Sequence, residues 1–149
     1  VLDVAKDLLA QSAGKLMLPV DMVLANAFDQ EAEMKTVDLG DVPAGWRVLD
    51  IGPKTVEAFN AVVANAGTVV WNGPMGVFEF PKFAAGTFAV AKAVAESSAV
   101  SIIGGGDSVA AINQSGLDDK ITHISTGGGA SLEMLEGLEL PGLAVLNDK

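Results

Sequence analysis

Two runs of three glycines, at 104–106 and 127–129, constrain the fold of this 149-residue chain more than any other feature. Each run follows a short apolar segment, 99–103 in the first case and 121–125 in the second, and each precedes residues with helical spacing. Short apolar strands that turn directly into helices are typical of a parallel sheet, because the crossover helices cover the faces of the strands. The glycine runs therefore predict an α/β fold.

The rest of the chain continues this alternation. Strands are predicted at 47–51 and 69–71, and helices are predicted at 53–66, 84–96, 107–115 and 130–135, with a final helical turn from Pro141. We expect residues 1–149 to form a single domain with a parallel sheet and helices on both faces, a Rossmann-like three-layer arrangement. Such a domain normally begins with a central strand. Because this chain begins with a helical pattern over 1–11, we expect the first strands of the sheet to be missing.

The segment before residue 47 has shorter apolar runs. Strands are predicted at 15–18, 22–25 and 34–39, with an acidic loop over 29–33. We expect the two strands on either side of this loop to form a small antiparallel ribbon at an edge of the fold.

Charge and residue usage exclude several classes of function. Nine Lys and Arg against nineteen Asp and Glu give a formal net charge of −10, which argues against binding to nucleic acid or to an anionic membrane. There is no cysteine and His123 is the only histidine, which excludes disulfides and most zinc chemistry. The sequence contains neither a membrane-spanning apolar run nor the pattern of a signal peptide at its start. A cytoplasmic location is the expectation.

Both glycine runs have the chemistry of an anion-binding turn. Each places main-chain amides at the start of a helix, at the end of a parallel strand where such sheets bind ligands. The alternative is that the glycines only permit tight turns or close packing, and two such turns in one sheet favour the binding interpretation. The P-loop pattern is absent, and Val109 stands where a dinucleotide-binding turn has its third glycine or alanine.

Asp107 and Ser108 follow the first glycine run directly. Asp107 suits either a helix cap or a Mg²⁺ ligand, and Ser108 suits either a cap or a contact to a phosphate oxygen. A serine hydrolase is a more distant alternative, because 106–110 resembles a nucleophile elbow that is followed by Asp118, Asp119 and His123. The predicted position of His123 inside a strand disfavours that alternative.

The segment 71–79, WNGPMGVFE, is predicted to follow a fixed irregular path at a strand end because it combines glycines with a proline. Asn72 offers an amide, Val77 an apolar wall and Glu79 two acceptor oxygens for ribose hydroxyls. The alternative is a packed loop that places Trp71 and Phe78 in the core.

Five stretches together resemble the phosphoglycerate kinase family, and specifically the later part of its C-terminal, nucleotide-binding lobe. They are VLDIGP at 48–53, WNGPMGVFEF at 71–80, GGGDSVAA at 104–111, STGGGASLEMLEG at 125–137 and LPG at 140–142. The resemblance implies reversible phosphoryl transfer between 1,3-bisphosphoglycerate and ADP with Mg²⁺, by an enzyme that is monomeric at full length.

The resemblance also implies roles for particular residues. Val48, Leu49, Pro74 and Val77 would line the adenine and ribose slot, Asn72 would touch phosphates, and Glu79 would bind ribose. Gly105, Gly106, Asp107 and Ser108 would sit at the nucleotide phosphates, with Asp107 serving the metal. The amides of Gly127, Gly128 and Gly129 would face the phosphoryl group in transfer.

The glycine-rich motifs contain no positive charge. No Lys or Arg lies within WNGPMGVFE, GGGDS or STGGG, and Lys54 and Lys82 are the nearest in sequence. Since one well-placed cation is worth roughly 10³–10⁵ in the rate of phosphoryl transfer, we expect the chain to be inactive alone. The family's substrate-binding N-terminal lobe and the start of its nucleotide lobe are not represented. The alternative is a non-catalytic anion-binding or assembly module with the same fold.

Overall fold

The computed structural model describes residues 2–125, 127 and 129–146, and it shows a mixed α/β fold. The helices are α1 (Leu2–Gln11), α2 (Pro53–Ala64), α3 (Ala85–Glu96), α4 (Gly106–Ser115), α5 (Ala130–Leu135) and α6 (Pro141–Ala144). The strands are β1 (Asp21–Ala25), β2 (Met34–Asp38), β3 (Arg47–Ile51), β4 (Thr68–Asn72), β5 (Val100–Gly104) and β6 (His123–Ile124). Short 3₁₀ turns occupy Pro81–Phe83 and Asp118–Lys120. Most of the predicted helices and strands are therefore confirmed.

The strands form two three-stranded sheets. β4, β5 and β6 lie side by side in a parallel sheet, whereas β2, β1 and β3 form an antiparallel sheet with β1 in the centre. The predicted antiparallel ribbon around the acidic loop is the β1–β2 pair. β3 had been expected to continue the parallel alternation, and instead it pairs antiparallel with β1, Met22 opposite Ile51.

Two apolar clusters occupy the interior. The larger lies where the parallel sheet meets α3 and α4, and it is built around Trp71, Phe78, Val94, Ile103 and Ile112. The smaller lies on the antiparallel sheet and includes Val23, Ala25, Ala32, Leu49 and Phe83. The segment between β4 and α3 contributes to both clusters, because Phe78 packs in the first and Val77 and Phe80 pack against the second. This segment is thus held between the two interiors.

The start of helix α2 is capped by a residue from another element. Gly52 precedes the helix and provides no capping side chain. The carboxylate of Asp21, on β1, instead accepts hydrogen bonds from the amides of Lys54 (3.0 Å) and Thr55 (2.8 Å). The Thr55 hydroxyl lies 2.6 Å from the same carboxylate and accepts hydrogen bonds from the amides of Val20 and Asp21 at 2.9 and 3.1 Å. Strand and helix are therefore bonded reciprocally, which satisfies amides that a helix start leaves unpaired.

A second buried carboxylate has the same position at helix α3. Asp50, on β3, accepts hydrogen bonds from the amide of Gly86 at 2.8 Å and from that of Ile51 at 2.9 Å. Burial raises the pKa of the Asp50 carboxyl above its ordinary value, and these two hydrogen bonds only partly oppose that effect. The start of α3 is thereby tied to β3.

Two regions differ from the sequence-based expectation. Residues 15–18 are not a strand, and the side chains of Leu16, Met17 and Leu18 are partly exposed. Helix α1 buries none of its residues, so that its apolar face, with Leu2, Val4, Leu8 and Leu9, faces solvent. Val1, which was predicted to belong to that face, lies outside the described residues. Within the described ranges, no helix combines the length and apolar character needed to cross a bilayer.

Candidate functional site

The strands of the parallel sheet end beside one another. Asn72, the last residue of β4, lies opposite Gly104, the last residue of β5, and Ile103 lies opposite Ile124 at the end of β6. Because the strands are parallel, the segments that follow them leave the same edge of the sheet. The motifs WNGPMGVFE and GGGDS and the described residues of 125–129 (Ser125, Gly127 and Gly129) therefore follow neighbouring strands at one edge of the sheet.

The turn between β5 and α4 requires glycine at position 105. Gly105 has a φ of +85°, in the left-handed region, and a Cβ atom there would lie 2.6 Å from Oδ1 of Asn72. Gly106 opens the helix, and a Cβ at that position would meet no atom of the described residues within 4 Å. No side chain caps α4. The first amides of an α-helix have no intrahelical acceptors, and those of α4 have no side-chain cap either. They lie beside the open approach at Gly106.

The loop that follows β4 is anchored through its main-chain amides. The Gly73 amide donates to the Ser108 hydroxyl at 2.5 Å, and the amides of Met75 and Gly76 both donate to the Thr87 hydroxyl at 3.1 Å. The Val77 amide donates to the Leu49 carbonyl at 2.8 Å. Pro74, the remaining residue of 73–77, has no N–H to satisfy. Every amide of this stretch is therefore committed to an acceptor on α4, α3 or β3.

A cleft of about 530 Å³ lies between this loop and the antiparallel sheet. Its walls include all four residues that were predicted to form the adenine and ribose slot: Val48, Leu49, Pro74 and Val77. Leu18, Met22, Leu39 and Met75 extend the apolar lining. Pro74 adjoins Gly73, which is bonded to Ser108 in the first turn of α4. The loop that lines the cleft is therefore bonded directly to the first turn of α4.

The polar residues predicted for the site divide into exposed and buried groups. Asp107 lies in the first turn of α4 and is exposed, as is Glu79. Asp107 makes no side-chain capping bond, so the capping alternative finds no support at this residue. Ser108 is fully buried, and its hydroxyl accepts the hydrogen bond from Gly73. That contact gives Ser108 a structural role and disfavours the hydrolase alternative, which needs an exposed nucleophile.

The second glycine run lies next to the first. A Cβ at Gly104 would lie 3.9 Å from Cβ of Ser131, which places the start of α5 beside the end of β5. The Ser131 and Ser125 hydroxyls are 2.6 Å apart, and the Ser125 hydroxyl also accepts a hydrogen bond from the Gly127 amide at 3.3 Å. Gly129 directly precedes α5. Gly128 lies outside the described residues.

The lysines nearest the motifs have partners elsewhere. Lys54 pairs with Asp38 at 2.6 Å and Lys82 pairs with Glu31 at 3.4 Å. Over residues 2–125, 127 and 129–146, no three His, Cys, Asp or Glu residues are grouped so that they could hold a metal ion by themselves. A metal at Asp107 would therefore need ligands from a bound phosphate and water, which is the coordination that Mg²⁺ commonly adopts.

Sequence reasoning missed two residues, Thr87 and Asp50, that support the loop after β4 from its buried side. Thr87 and Asp50 are fully or almost fully buried, and both contact the loop: Thr87 through its hydroxyl, and Asp50 by packing so closely that a Cβ at Gly76 would overlap its carboxylate. One signal was available. Neither α2 nor α3 has Ser, Thr, Asp or Asn at its N-cap, so that acceptors for their first amides had to come from elsewhere in the chain.

Comparison with known proteins agrees with this arrangement. The sequence model of the family described as phosphoglycerate kinase matches residues 1–138. The phosphoglycerate kinase of Herpetosiphon aurantiacus is 64% identical over 141 residues, which are 94% of this chain and 36% of that protein. The phosphoglycerate kinase of Clostridium tetani is 60% identical over an alignment of 151 positions, which covers 99% of this chain and 38% of that protein. The chain thus spans a little over a third of the length of these relatives.

Two solved structures share the fold. The phosphoglycerate kinase of Coxiella burnetii superposes with a TM-score of 0.88 at 44% identity, covering 92% of this chain and 36% of that one. The phosphoglycerate kinase of Pyrococcus horikoshii superposes with a TM-score of 0.83 at 39% identity, covering 96% of this chain and 35% of that one. Parallel strands that end in adjacent glycine-rich turns, with flanking helices, define a Rossmann-like α/β protein. Within that class, the chain belongs to the phosphoglycerate kinase family.

Proposed function

We propose that this chain is the nucleotide- and Mg²⁺-binding part of an enzyme that transfers a phosphoryl group between 1,3-bisphosphoglycerate and ADP. One observation carries the proposal. The apolar cleft lined by Val48, Leu49, Pro74 and Val77 is formed in part by the loop whose Gly73 amide bonds Ser108, in the first turn of the helix that opens at Gly106 and Asp107. A base needs an apolar slot, and the phosphates attached to it need amides and a cation within a few ångströms.

The base and ribose would occupy the cleft. Its lining is mainly aliphatic and sulfur-containing, which suits a flat base held by shape and dispersion contacts. Glu79 lies five residues beyond Pro74 and is exposed, so that its carboxylate is available to the ribose hydroxyls. Asn72, at the end of β4, would contact the phosphates from the side of the sheet.

The phosphates would lie against the start of α4. The open side of Gly106 lets an anion approach the main chain, and the helix dipole adds roughly 0.3–1 kcal/mol. Asp107 would hold Mg²⁺ together with phosphate and water oxygens. Mg²⁺, when bound, would neutralise charge on the phosphates, and the amides of Gly127, Gly128 and Gly129 would face the phosphoryl group in transfer.

The remaining components would lie outside this chain. The phosphoglycerate substrate and the cations that neutralise the transferring group would be bound by the part of the complete protein that precedes these residues, and this chain alone would be inactive. We propose that the complete protein is a cytoplasmic monomer. The net charge of −10 on this chain disfavours binding of nucleic acid or of an anionic membrane by this part of it.

Titration calorimetry on the complete natural protein tests the assignment. We expect Asp107→Asn to weaken the binding of Mg-ADP more than that of metal-free ADP, and to lower kcat by roughly 10²-fold or more. Gly106→Ala should weaken both forms, because a methyl group would block the approach of phosphate. Glu57→Gln, which removes an exposed carboxylate from the middle of α2, is the matched control. A protein that folds stably and ignores nucleotides would favour the non-catalytic alternative.

A further inference from the structure

Two threonines occupy equivalent positions in the fold. Thr55 is the third residue of α2 and Thr87 is the third residue of α3, and both side chains are completely buried. The hydroxyl of each accepts hydrogen bonds from two consecutive main-chain amides, at 2.9 and 3.1 Å for Thr55 and at 3.1 Å for both bonds of Thr87. A buried carboxylate on a strand bonds the first turn of each helix, Asp21 for α2 and Asp50 for α3.

The two threonines differ in what they hold. Thr55 bonds Val20 and Asp21, so that its contacts close on the strand that caps its own helix. Thr87 bonds Met75 and Gly76, in the loop that lines the cleft. The same local device therefore fastens, at α2, a strand that contributes Met22 to one wall of the cleft and, at α3, the loop that contributes Pro74, Met75, Gly76 and Val77 to the other.

We propose that Thr87 is a positioning residue for nucleotide binding, acting through the amides of Met75 and Gly76 to fix Pro74 and Val77 at the cleft. This inference rests on the proposed function. Thr87 does not line the cleft, and its hydroxyl lies behind the loop, so it acts on a ligand only through the main chain. A hydroxyl oxygen has two lone pairs, and both are used by adjacent amides. Replacing it with a methyl group would leave the two part-buried amides of Met75 and Gly76 without this acceptor.

The test compares Thr87→Val with Thr55→Val in the complete natural protein. Both changes are nearly isosteric and each removes one buried hydroxyl that accepts two amides. Thr55→Val also removes the bond to the Asp21 carboxylate, so it is the more severe loss of a buried hydroxyl and controls for effects that do not pass through the loop 73–77. We expect Thr87→Val to speed hydrogen exchange at Met75 and Gly76, to weaken ADP binding roughly 10- to 100-fold and to raise the KM for nucleotide more than that for phosphoglycerate. Thr55→Val should lower the melting temperature while leaving ADP affinity within about twofold of wild type. Thr87→Ser, which keeps the oxygen, should restore nucleotide affinity.

Each outcome decides the matter. If wild type binds ADP and Thr87→Val binds it equally well, the positioning role is refuted while the proposed function stands. The role is also refuted if both valine variants weaken ADP binding to the same extent, or if Thr87→Ser fails to rescue. A wild-type protein that binds no nucleotide would refute the proposed function, and the positioning role with it.

Discussion

Asn72 and Gly105 are in contact across the ends of two neighbouring strands, with Oδ1 of Asn72 occupying the space that a Cβ at Gly105 would need. The contact joins the loop after β4 to the turn before α4. It also gives position 105 two separate requirements for glycine, a positive φ and the absence of a side chain.

Gly105→Ala should therefore destabilise the protein. Strain at φ +85° and the displacement of Asn72 together should cost roughly 1–3 kcal/mol in the free energy of unfolding, measured by urea denaturation. Gly106→Ala is the control, because that position has room for a methyl group and lies in a helix, where alanine is favoured. Equal stability losses at the two positions would contradict the described geometry.

Asp21→Asn should weaken the attachment of α2 to β1. One carboxylate oxygen that now accepts a main-chain amide would become an NH₂ group, with an expected loss of roughly 1–3 kcal/mol. A double-mutant cycle with Thr55→Val should give a coupling energy of roughly 0.5–3 kcal/mol, because the two side chains bond each other directly. Additive effects would show that the pair does not interact in solution.

The pH dependence of stability should separate the two buried carboxylates. Burial raises the pKa of Asp21, but hydrogen bonds from Thr55 and Lys54 and the charge of Lys54 outweigh it, so that this pKa lies below its ordinary value of 3.8. The contribution of Asp21 is thus complete above pH 3.8 and is lost as the pH falls through the lower, folded-state pKa. The stability gap between wild type and Asp21→Asn should shrink on acidification below that value.

Asp50 should behave in the opposite sense. Its pKa is raised by burial above 3.8, so the folded state holds the proton more tightly and the contribution of Asp50 declines as the pH rises through its folded-state pKa. The free energy of unfolding of wild type relative to Asp50→Asn should therefore fall as the pH rises through the window just above 3.8, where the gap between wild type and Asp21→Asn stays constant. If the stability gap between wild type and each variant were constant both below pH 3.8 and just above it, the opposite pKa shifts of the two carboxyls would be contradicted.

Glu79→Gln should separate nucleotide binding from folding. The Glu79 side chain is exposed, so its neutralisation should change stability by less than about 0.5 kcal/mol. ADP affinity in the complete protein should fall several-fold, because one charged acceptor for the ribose hydroxyls is lost. Unchanged affinity for ADP would remove Glu79 from the site.

The isolated chain should associate at high concentration. The side chains on the apolar face of α1 are half or more exposed, from Leu9 at 50% to Leu2 at 77%. Leu8→Glu should reduce association in sedimentation velocity, whereas Ala10→Glu, on the opposite face of the helix, should not. A chain that remains monomeric at millimolar concentration would show that this apolar face does not drive association.

Local sequence patterns predicted the helices and strands well because these elements depend on residues that are close in sequence. The helix after Pro53 and the turn into α4 follow from apolar spacing and glycine placement, and both are confirmed. The pairing of β3 was not predictable in the same way. A five-residue strand such as RVLDI fits a parallel and an antiparallel sheet equally well, and the partner of β3, β1, lies across the intervening segment that contains β2.

The prediction of a strand at 15–18 was wrong. The apolar run there satisfies the pattern of a strand, yet no neighbouring strand pairs with it in the described part of the chain. Side-chain roles were the least predictable, because Asp21 bonds Thr55 and Asp50 bonds Gly86 over 34 and 36 positions of sequence. Only the absence of local caps indicated that such partners must exist.

The main-chain N–H groups of residues 73–77 are all hydrogen-bonded within the protein, so none of them is available to bond a purine. Gly73, Met75, Gly76 and Val77 each direct theirs to the protein itself. In the proposed nucleotide site, this stretch could therefore offer a base only carbonyl oxygens and apolar side chains. Selection between adenine and guanine would then depend on the shape of the base more than on hydrogen bonds to its edge. We expect such a site to accept several nucleoside diphosphates.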